Sequence, residues 1–283
     1  ETISIAKADE KKGEKADKIF LKGRKNPLAL RGDHPVLLLL MLAVLPLSAL
    51  GEGALYQVST LQALMQGDYY GAVSVGALLT RGDTGLGTFD ALDGEMVVLD
   101  GVAYKAAYDG SITAMGAQEL TPFANVAFIG DGATVESSFE GGYDGLLAAL
   151  NALVPDGNMP VVFRIEGTYT GVTVRSVPEQ EEPYPPLTDV VQNQAVFETQ
   201  QVRGVIVGFR FPGYMGDINT TGYHLHFLSD DLSFGGHLLD IGSGTFTLQY
   251  QTLSEFTMTL PDSISLYNLS ETTEEDIRVV EQR

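Results

Sequence analysis

Cysteine is absent from all 283 residues, which excludes disulfide staples, thiolate metal sites and cysteine nucleophiles. Any metal must therefore rest on histidine and carboxylates. Histidine is itself scarce, with four in the chain. Lysine nearly vanishes after residue 34, where Lys105 stands alone. The whole chain holds 17 Lys and Arg against 37 Asp and Glu, a net charge of −20. Residues 1–34 carry a positive excess, so the body is more acidic than the total suggests. Such a surface repels phosphate backbones and anionic lipid heads, which argues against nucleic-acid binding and against membrane binding by the mature domain. It suits a salt-adapted or extracellular protein. There is no Walker loop and no Gly-x-Ser-x-Gly elbow, and Gly85-Leu86-Gly87 lacks the third glycine of a dinucleotide loop. The 32 glycines have no collagen period, and 44% hydrophobic side chains in a chain of this length provide a sizeable core.

The head of the chain reads as processing information. Lys22, Arg24, Lys25 and Arg31 precede an apolar run, Val36 to Leu45, which Pro46 and Ser48 interrupt. Ala49-Leu50-Gly51 then offers small residues before Glu52, the basic, apolar, small order of a secretory signal. Residues 1–51 are therefore expected to be a basic tail and signal peptide, giving an exported protein cut near Gly51. An uncleaved membrane anchor and a cytoplasmic chain are the alternatives. The apolar run is short for a span, which needs about 20 residues.

From Glu52 onward the pattern mixes helix and strand. Ser59-Thr60-Leu61-Gln62 reads as a capping box opening a helix through Leu61, Leu64 and Met65, stopped by Gly67. Glu95 to Leu99 alternates as a strand, and Asp100-Gly101 turns it into the next, Val102 to Tyr108. Asp144 is placed to cap a helix carrying Leu146, Leu147, Leu150 and Leu153. Val161 to Ile165 and Tyr169 to Val177 read as paired strands. The run Pro178 to Pro186 contains four prolines and is the candidate junction between an N-terminal α/β lobe, 52–182, and a C-terminal metal-binding lobe, 183–283. Beyond it Thr188 is placed to cap a short helix, and five strands are predicted between Val202 and Leu260. The fold class expected is α+β: two sheet-rich lobes with few short helices, the metal site on strands of the second lobe facing the first. Asp262 to Arg283 has little apolar content and is predicted to be a tail packed back over the body.

The most informative residues are the histidines. Three of the four lie in Gly222-Tyr223-His224-Leu225-His226-Phe227 and Gly235-Gly236-His237. On a strand, residues i and i+2 share a face, so His224 and His226 stand side by side about 6–7 Å apart, with Leu225 and Phe227 on the other face. Ser229 to Gly235 is rich in turn formers, so the chain can double back and bring His237 opposite His226. Three histidines with an open position suit catalytic Zn²⁺, and other divalent first-row metals as well. A single strand histidine is more often a surface or core residue; a trio within 14 residues of a histidine-poor chain is not so easily dismissed.

These histidine motifs closely resemble the metal-binding segment of the bacterial α-acetolactate decarboxylases. The likeness continues in Arg81-Gly82-Asp83-Thr84-Gly85-Leu86-Gly87-Thr88, in Leu92-Asp93-Gly94-Glu95, in Thr121-Pro122-Phe123-Ala124, and in Arg175-Ser176-Val177-Pro178 with Pro183-Tyr184-Pro185. It runs from about Leu55 to the C-terminus, in order and at similar spacing. The resemblance implies a zinc enzyme converting 2-acetolactate, a 2-hydroxy-3-oxo acid, to (R)-acetoin and CO₂. It implies His224, His226 and His237 as metal ligands, Glu95 as a carboxylate at the metal, Arg175 as a basic pocket residue and Thr88 as a nearby hydroxyl. A second carboxylate is implied in the tail, where Glu281 is the best match and Glu271, Glu274 and Glu275 are neighbours.

The chemistry follows from the reaction. Loss of CO₂ from a 3-oxo acid leaves an electron pair that must enter the ketone, and a metal on the ketone and hydroxyl stabilises the developing enediolate. Each residue also has a plain structural reading: Glu95 as a solvated strand start, Arg175 as a surface ion pair, Thr88 as a strand former and Glu281 as part of a frayed end. A non-enzymatic exported metal-binding protein is the alternative from another class. A cupin-like metal dioxygenase is a third, but it calls for a Glu shortly after the second His, where only Asp230 and Asp231 stand. The Arg-Gly-Asp tripeptides at 31–33 and 81–83 are short matches, and the sequons at Asn219 and Asn268 matter only in a glycosylating host. Strand edges permit a homodimer.

Overall fold

The structure, a computed structural model, describes residues 53–281 apart from 131–133 and Asp217. The expected signal segment, residues 1–51, lies outside the described residues. β1 (Ala54–Val58) leads through α1 (Leu61–Met65), β2 (Val73–Ser74) and α2 (Val75–Leu78) to β3 (Thr84–Thr88). Then come β4 (Glu95–Leu99), β5 (Val102–Ala106), β6 (Ile112–Ala114), β7 (Leu120–Thr121) and β8 (Ala124–Ala127). β9 (Val135–Phe139), α3 (Gly142–Leu153), β10 (Val161–Ser176), α4 (Leu187–Val190) and β11 (Ala195–Phe211) follow. β12 (Gly222–Ser229), β13 (Gly235–Asp240), β14 (Ser243–Thr252) and β15 (Glu255–Thr259) precede the last helix, α5 (Glu274–Glu281).

The architecture is the expected α+β one, dominated by two sheets. One has seven strands in the order β15-β1-β8-β3-β4-β5-β6; the other has six, in the order β11-β12-β13-β10-β14-β9. β10 also pairs with β11, so β10, β11, β12 and β13 close a ring of hydrogen-bonded strands. That closure brings the histidine-bearing strands β12 and β13 next to Arg175 on β10. Sheet membership crosses the proline run. β9 and β10 precede it yet belong to the six-stranded sheet, and β15 follows it yet pairs in parallel with β1. Long-range pairing, not chain order, decides which sheet a strand joins.

Four local expectations are corrected. Thr188 does not cap the short helix α4 but lies within it, and Pro186 is the capping residue. The predicted strands Val161–Ile165 and Tyr169–Val177 are not partners but one 16-residue strand, β10. The polar Glu166-Gly167-Thr168 does not break it, because β11 and β14 hydrogen-bond along both its edges there. The cap of α1 is Thr60, whose hydroxyl accepts from the Ala63 amide at 3.1 Å; Ser59 instead sits at φ 58. The cap of α3 is left-handed Gly141, and Asp144 lies within the first turn, where the helix dipole favours a carboxylate.

One face of the six-stranded sheet buries Phe163, Ile165, Leu225 and Phe227 against Leu146 and Leu150 of α3. The other face meets the seven-stranded sheet through Val97, Val205, Val207 and Leu228, and through Leu55, Leu86, Val162 and Phe209. The tail packs back as predicted: Ile277 and Val280 of α5 are buried with Leu61, Leu64, Tyr69, Phe123 and Val177. Among the described residues no helix is long and apolar enough to cross a membrane.

Candidate metal centre

The alternation along β12 does what its sequence predicts. His224 and His226 turn toward the seven-stranded sheet, while Leu225 and Phe227 enter the core beneath α3. Antiparallel pairing sets His226 directly opposite His237 on β13. The three rings stand 5.1–5.2 Å apart, centroid to centroid, and ligand nitrogens of all three lie within 4.8 Å of one another. All three side chains are buried. Gly236 makes the arrangement possible. It adopts φ +143, and a Cβ there would lie 2.2 Å from the Arg175 carbonyl oxygen, so only glycine lets β13 run this close to β10.

Burial keeps His224 and His226 neutral. Loss of solvent, with Arg175 adding its positive charge, lowers the His224 pKa to about 3. His226 is pushed well below its ordinary value by burial first and then by His224, with Arg175 adding a lesser push, while its bond to Met96 opposes them. Nδ1 of His226 lies 2.8 Å from the Met96 carbonyl oxygen. A carbonyl only accepts, so Nδ1 carries the proton and Nε2 presents its lone pair inward. That Nε2 is buried without a hydrogen-bond partner, a costly state that a cation relieves. Convergent, buried imidazoles, of which His224 and His226 are held neutral, fit a divalent metal such as zinc, which His224, His226 and His237 would hold.

The other predicted residues divide unequally. Glu95 reaches the cluster, with Oε2 at 3.5 Å from His226 Nε2 and Oε1 at 3.6 Å from Arg175 Nε. Its side chain is 9% exposed and that of Arg175 5%, so neither is the surface charge its plain reading allowed. Arg175 sits opposite His237 in the β10–β13 ladder and places Nη1 3.4 Å from Gln194 Oε1. Thr88 pairs with Glu95 across β3 and β4, and its hydroxyl donates to the Gly94 carbonyl at 2.7 Å. It therefore steadies the backbone that presents Glu95 and can offer only lone pairs to the cavity. Glu281 is the last residue of α5; its side chain lies outside the described residues.

Together these groups wall a cavity of about 30 Å³. Leu64, Leu92, Phe123, Val177 and Leu187 form its apolar side. Sequence reading missed this wall, the Met96 carbonyl and Gln194. The wall residues carry ordinary core signals on five separate segments, and a backbone carbonyl leaves no trace in a sequence. Larger surface hollows of about 480 and 580 Å³, beside α3 and β9, contain none of the residues above, so concavity alone does not mark this site.

Comparison with known proteins agrees. The family model described as alpha-acetolactate decarboxylase matches residues 55–271. The alpha-acetolactate decarboxylase of Methanosarcina mazei is 40% identical over 230 residues, covering 81% of this chain and 80% of the relative. That of Bacillus subtilis is 33% identical over 214 residues, covering 76% and 84%. A crystal structure of alpha-acetolactate decarboxylase from Bacillus subtilis superposes with a TM-score of 0.78 at 32% identity, covering 81% of this chain and 100% of that one. These matches decide against the non-enzymatic and dioxygenase alternatives. The chain belongs to the alpha-acetolactate decarboxylase family and is a carboxy-lyase.

Proposed function

We propose that the protein decarboxylates 2-acetolactate to (R)-acetoin and CO₂ through an enediolate, with a zinc ion held by His224, His226 and His237. The observation that carries this reading is the convergence of three buried imidazoles beside a buried Glu95–Arg175 pair. The substrate assignment is supported by the names of the relatives. When bound, the ion supplies a Lewis acid for the charge that develops as CO₂ leaves. Arg175 holds the substrate carboxylate through parallel donors, a geometry Lys cannot reproduce. A carboxyl group, Glu95 or Glu281, delivers to one face of the enediolate carbon a proton that is replaced from solvent in each turnover, which sets the configuration of the product. Thr88 keeps Glu95 in place through Gly94. The apolar wall excludes water that would otherwise protonate the enediolate from either side. Glu281 is retained as the second carboxylate on the strength of the sequence resemblance.

The test is to incubate metal-loaded protein with racemic 2-acetolactate and resolve the acetoin on a chiral column. A single enantiomer well above the spontaneous rate is expected; background acetoin from folded, metallated protein refutes the proposal. Elemental analysis should find one zinc per chain, lost in His224→Ala. The same reading extends to export after cleavage near Gly51, checked by sequencing the N-terminus of the secreted protein, and to a homodimer through a sheet edge, checked by sedimentation.

A further inference from the structure

The metal cavity, at about 30 Å³, is far smaller than the hollow of about 260 Å³ beside it. A keto acid must therefore pass through adjoining space to reach the cavity. That hollow shares Arg175 with the cavity and is lined further by Val191, Gln194, Leu239, Val280 and Arg278. The Arg175 guanidinium serves both spaces, with Nε toward Glu95 and Nη1 toward Gln194. Arg278 belongs to α5, whose Ile277 and Val280 are buried in the cluster that includes the cavity-wall residues Leu64, Leu92, Phe123, Val177 and Leu187. Its position beside the hollow is thus set by packing. Its side chain is 54% exposed and is held by Glu275, with Nε 2.9 Å from Oε2. Past residue 34 the chain carries 8 basic and 31 acidic side chains. An approaching anion is repelled over most of that surface and attracted where two guanidiniums border one hollow.

We propose that this hollow is the antechamber for the anionic substrate, and that Arg278 captures the carboxylate in exchange for Glu275 and passes it to Arg175. The inference rests on the decarboxylase reading. Arg278 acts on arrival and not on chemistry, so Arg278→Gln should lower kcat/KM about 5- to 10-fold through KM, leave kcat within about 2-fold, and flatten the salt dependence of kcat/KM. Arg278→Lys should retain most of the wild-type value. Glu275→Gln breaks the same ion pair while leaving the arginine without its competitor, so its KM should fall. If the pair merely holds the helix, Arg278→Gln and Glu275→Gln will impair the enzyme alike, and that result overturns the proposal, as does an unchanged KM in Arg278→Gln. Calorimetric titration with 2-hydroxyisobutyrate, a non-reacting 2-hydroxy acid, separates this inference from the function on which it rests. Weaker binding by Arg278→Gln and tighter binding by Glu275→Gln support the antechamber even if no acetoin forms; equal binding by all three proteins refutes it.

Discussion

Arg175 allows charge and shape to be separated in one pair of variants. In Arg175→Ala the carboxylate of Glu95, 9% exposed and 3.6 Å from the guanidinium, loses its neighbouring cation. Breaking a buried pair by removing one partner costs about 3–5 kcal/mol. For a folded body of this size each kcal/mol shifts the melting temperature by roughly 2–4 °C, so a fall of about 6–20 °C is expected. Arg175→Lys keeps a cation near Glu95 and should melt much closer to wild type, but it cannot present two parallel donors to the substrate carboxylate. Loss of one charge-assisted hydrogen bond, about 1.5–3 kcal/mol, corresponds to roughly 10- to 150-fold in kcat/KM. Differential scanning fluorimetry and CO₂ release, both on metal-loaded protein, measure the two effects. An Arg175→Ala variant melting within about 1 °C of wild type refutes the buried-pair argument. An Arg175→Lys variant with wild-type kcat/KM refutes the bidentate role.

Three further outcomes are expected. In Gly236→Ala the new Cβ would lie 2.2 Å from the Arg175 carbonyl, so β13 must withdraw from β10 and carry His237 with it. Metal content after dialysis should drop and stability should fall by at least about 1–3 kcal/mol, and a variant with wild-type metal content and melting point contradicts this. Chelation of the metal should lower the melting temperature, because a ligand at 1,000 times its Kd contributes about 4 kcal/mol; unchanged melting of a verifiably metal-free protein would show that the trio is not a folding-linked site. In the metal-free protein, His224 takes up a proton only near about pH 3, against an ordinary value of 6.5 when unfolded. The unfolded state therefore binds more protons across this interval, so stability is unaffected by this group above about 6.5 and is lost as pH falls toward 3. Urea midpoints against pH should show that slope, and His224→Gln should flatten it.

Legibility followed the range of the forces involved. The alternation His224-Leu225-His226-Phe227 expresses the two-residue period of strand stereochemistry, which needs no knowledge of the rest of the chain. The turn-rich Ser229 to Gly235 is likewise local, so the return of His237 opposite His226 could be anticipated. The resemblance carried Glu95 and Arg175 to the same site, and the structure places both beside the histidines. The exact cap of α1 and the continuity of β10 were misread because both depend on partners: a hydroxyl one residue farther along, and neighbouring strands on two edges.

By itself, then, the sequence determined the histidine trio, its facing, the acidic body without thiols, and the family. Tertiary structure alone decided that His226 donates to Met96, 130 residues away along the chain, that Glu95 and Arg175 are a buried pair, and that α5 roofs the apolar wall with Ile277 and Val280. It also decided which strands share a sheet on either side of the prolines. The physical reason is that side-chain direction is set by dihedral angles within a few residues. Which tautomer a ring holds, which carboxylate loses its water and which helix covers a cavity are set by the simultaneous packing of distant segments, and no local pattern encodes that outcome.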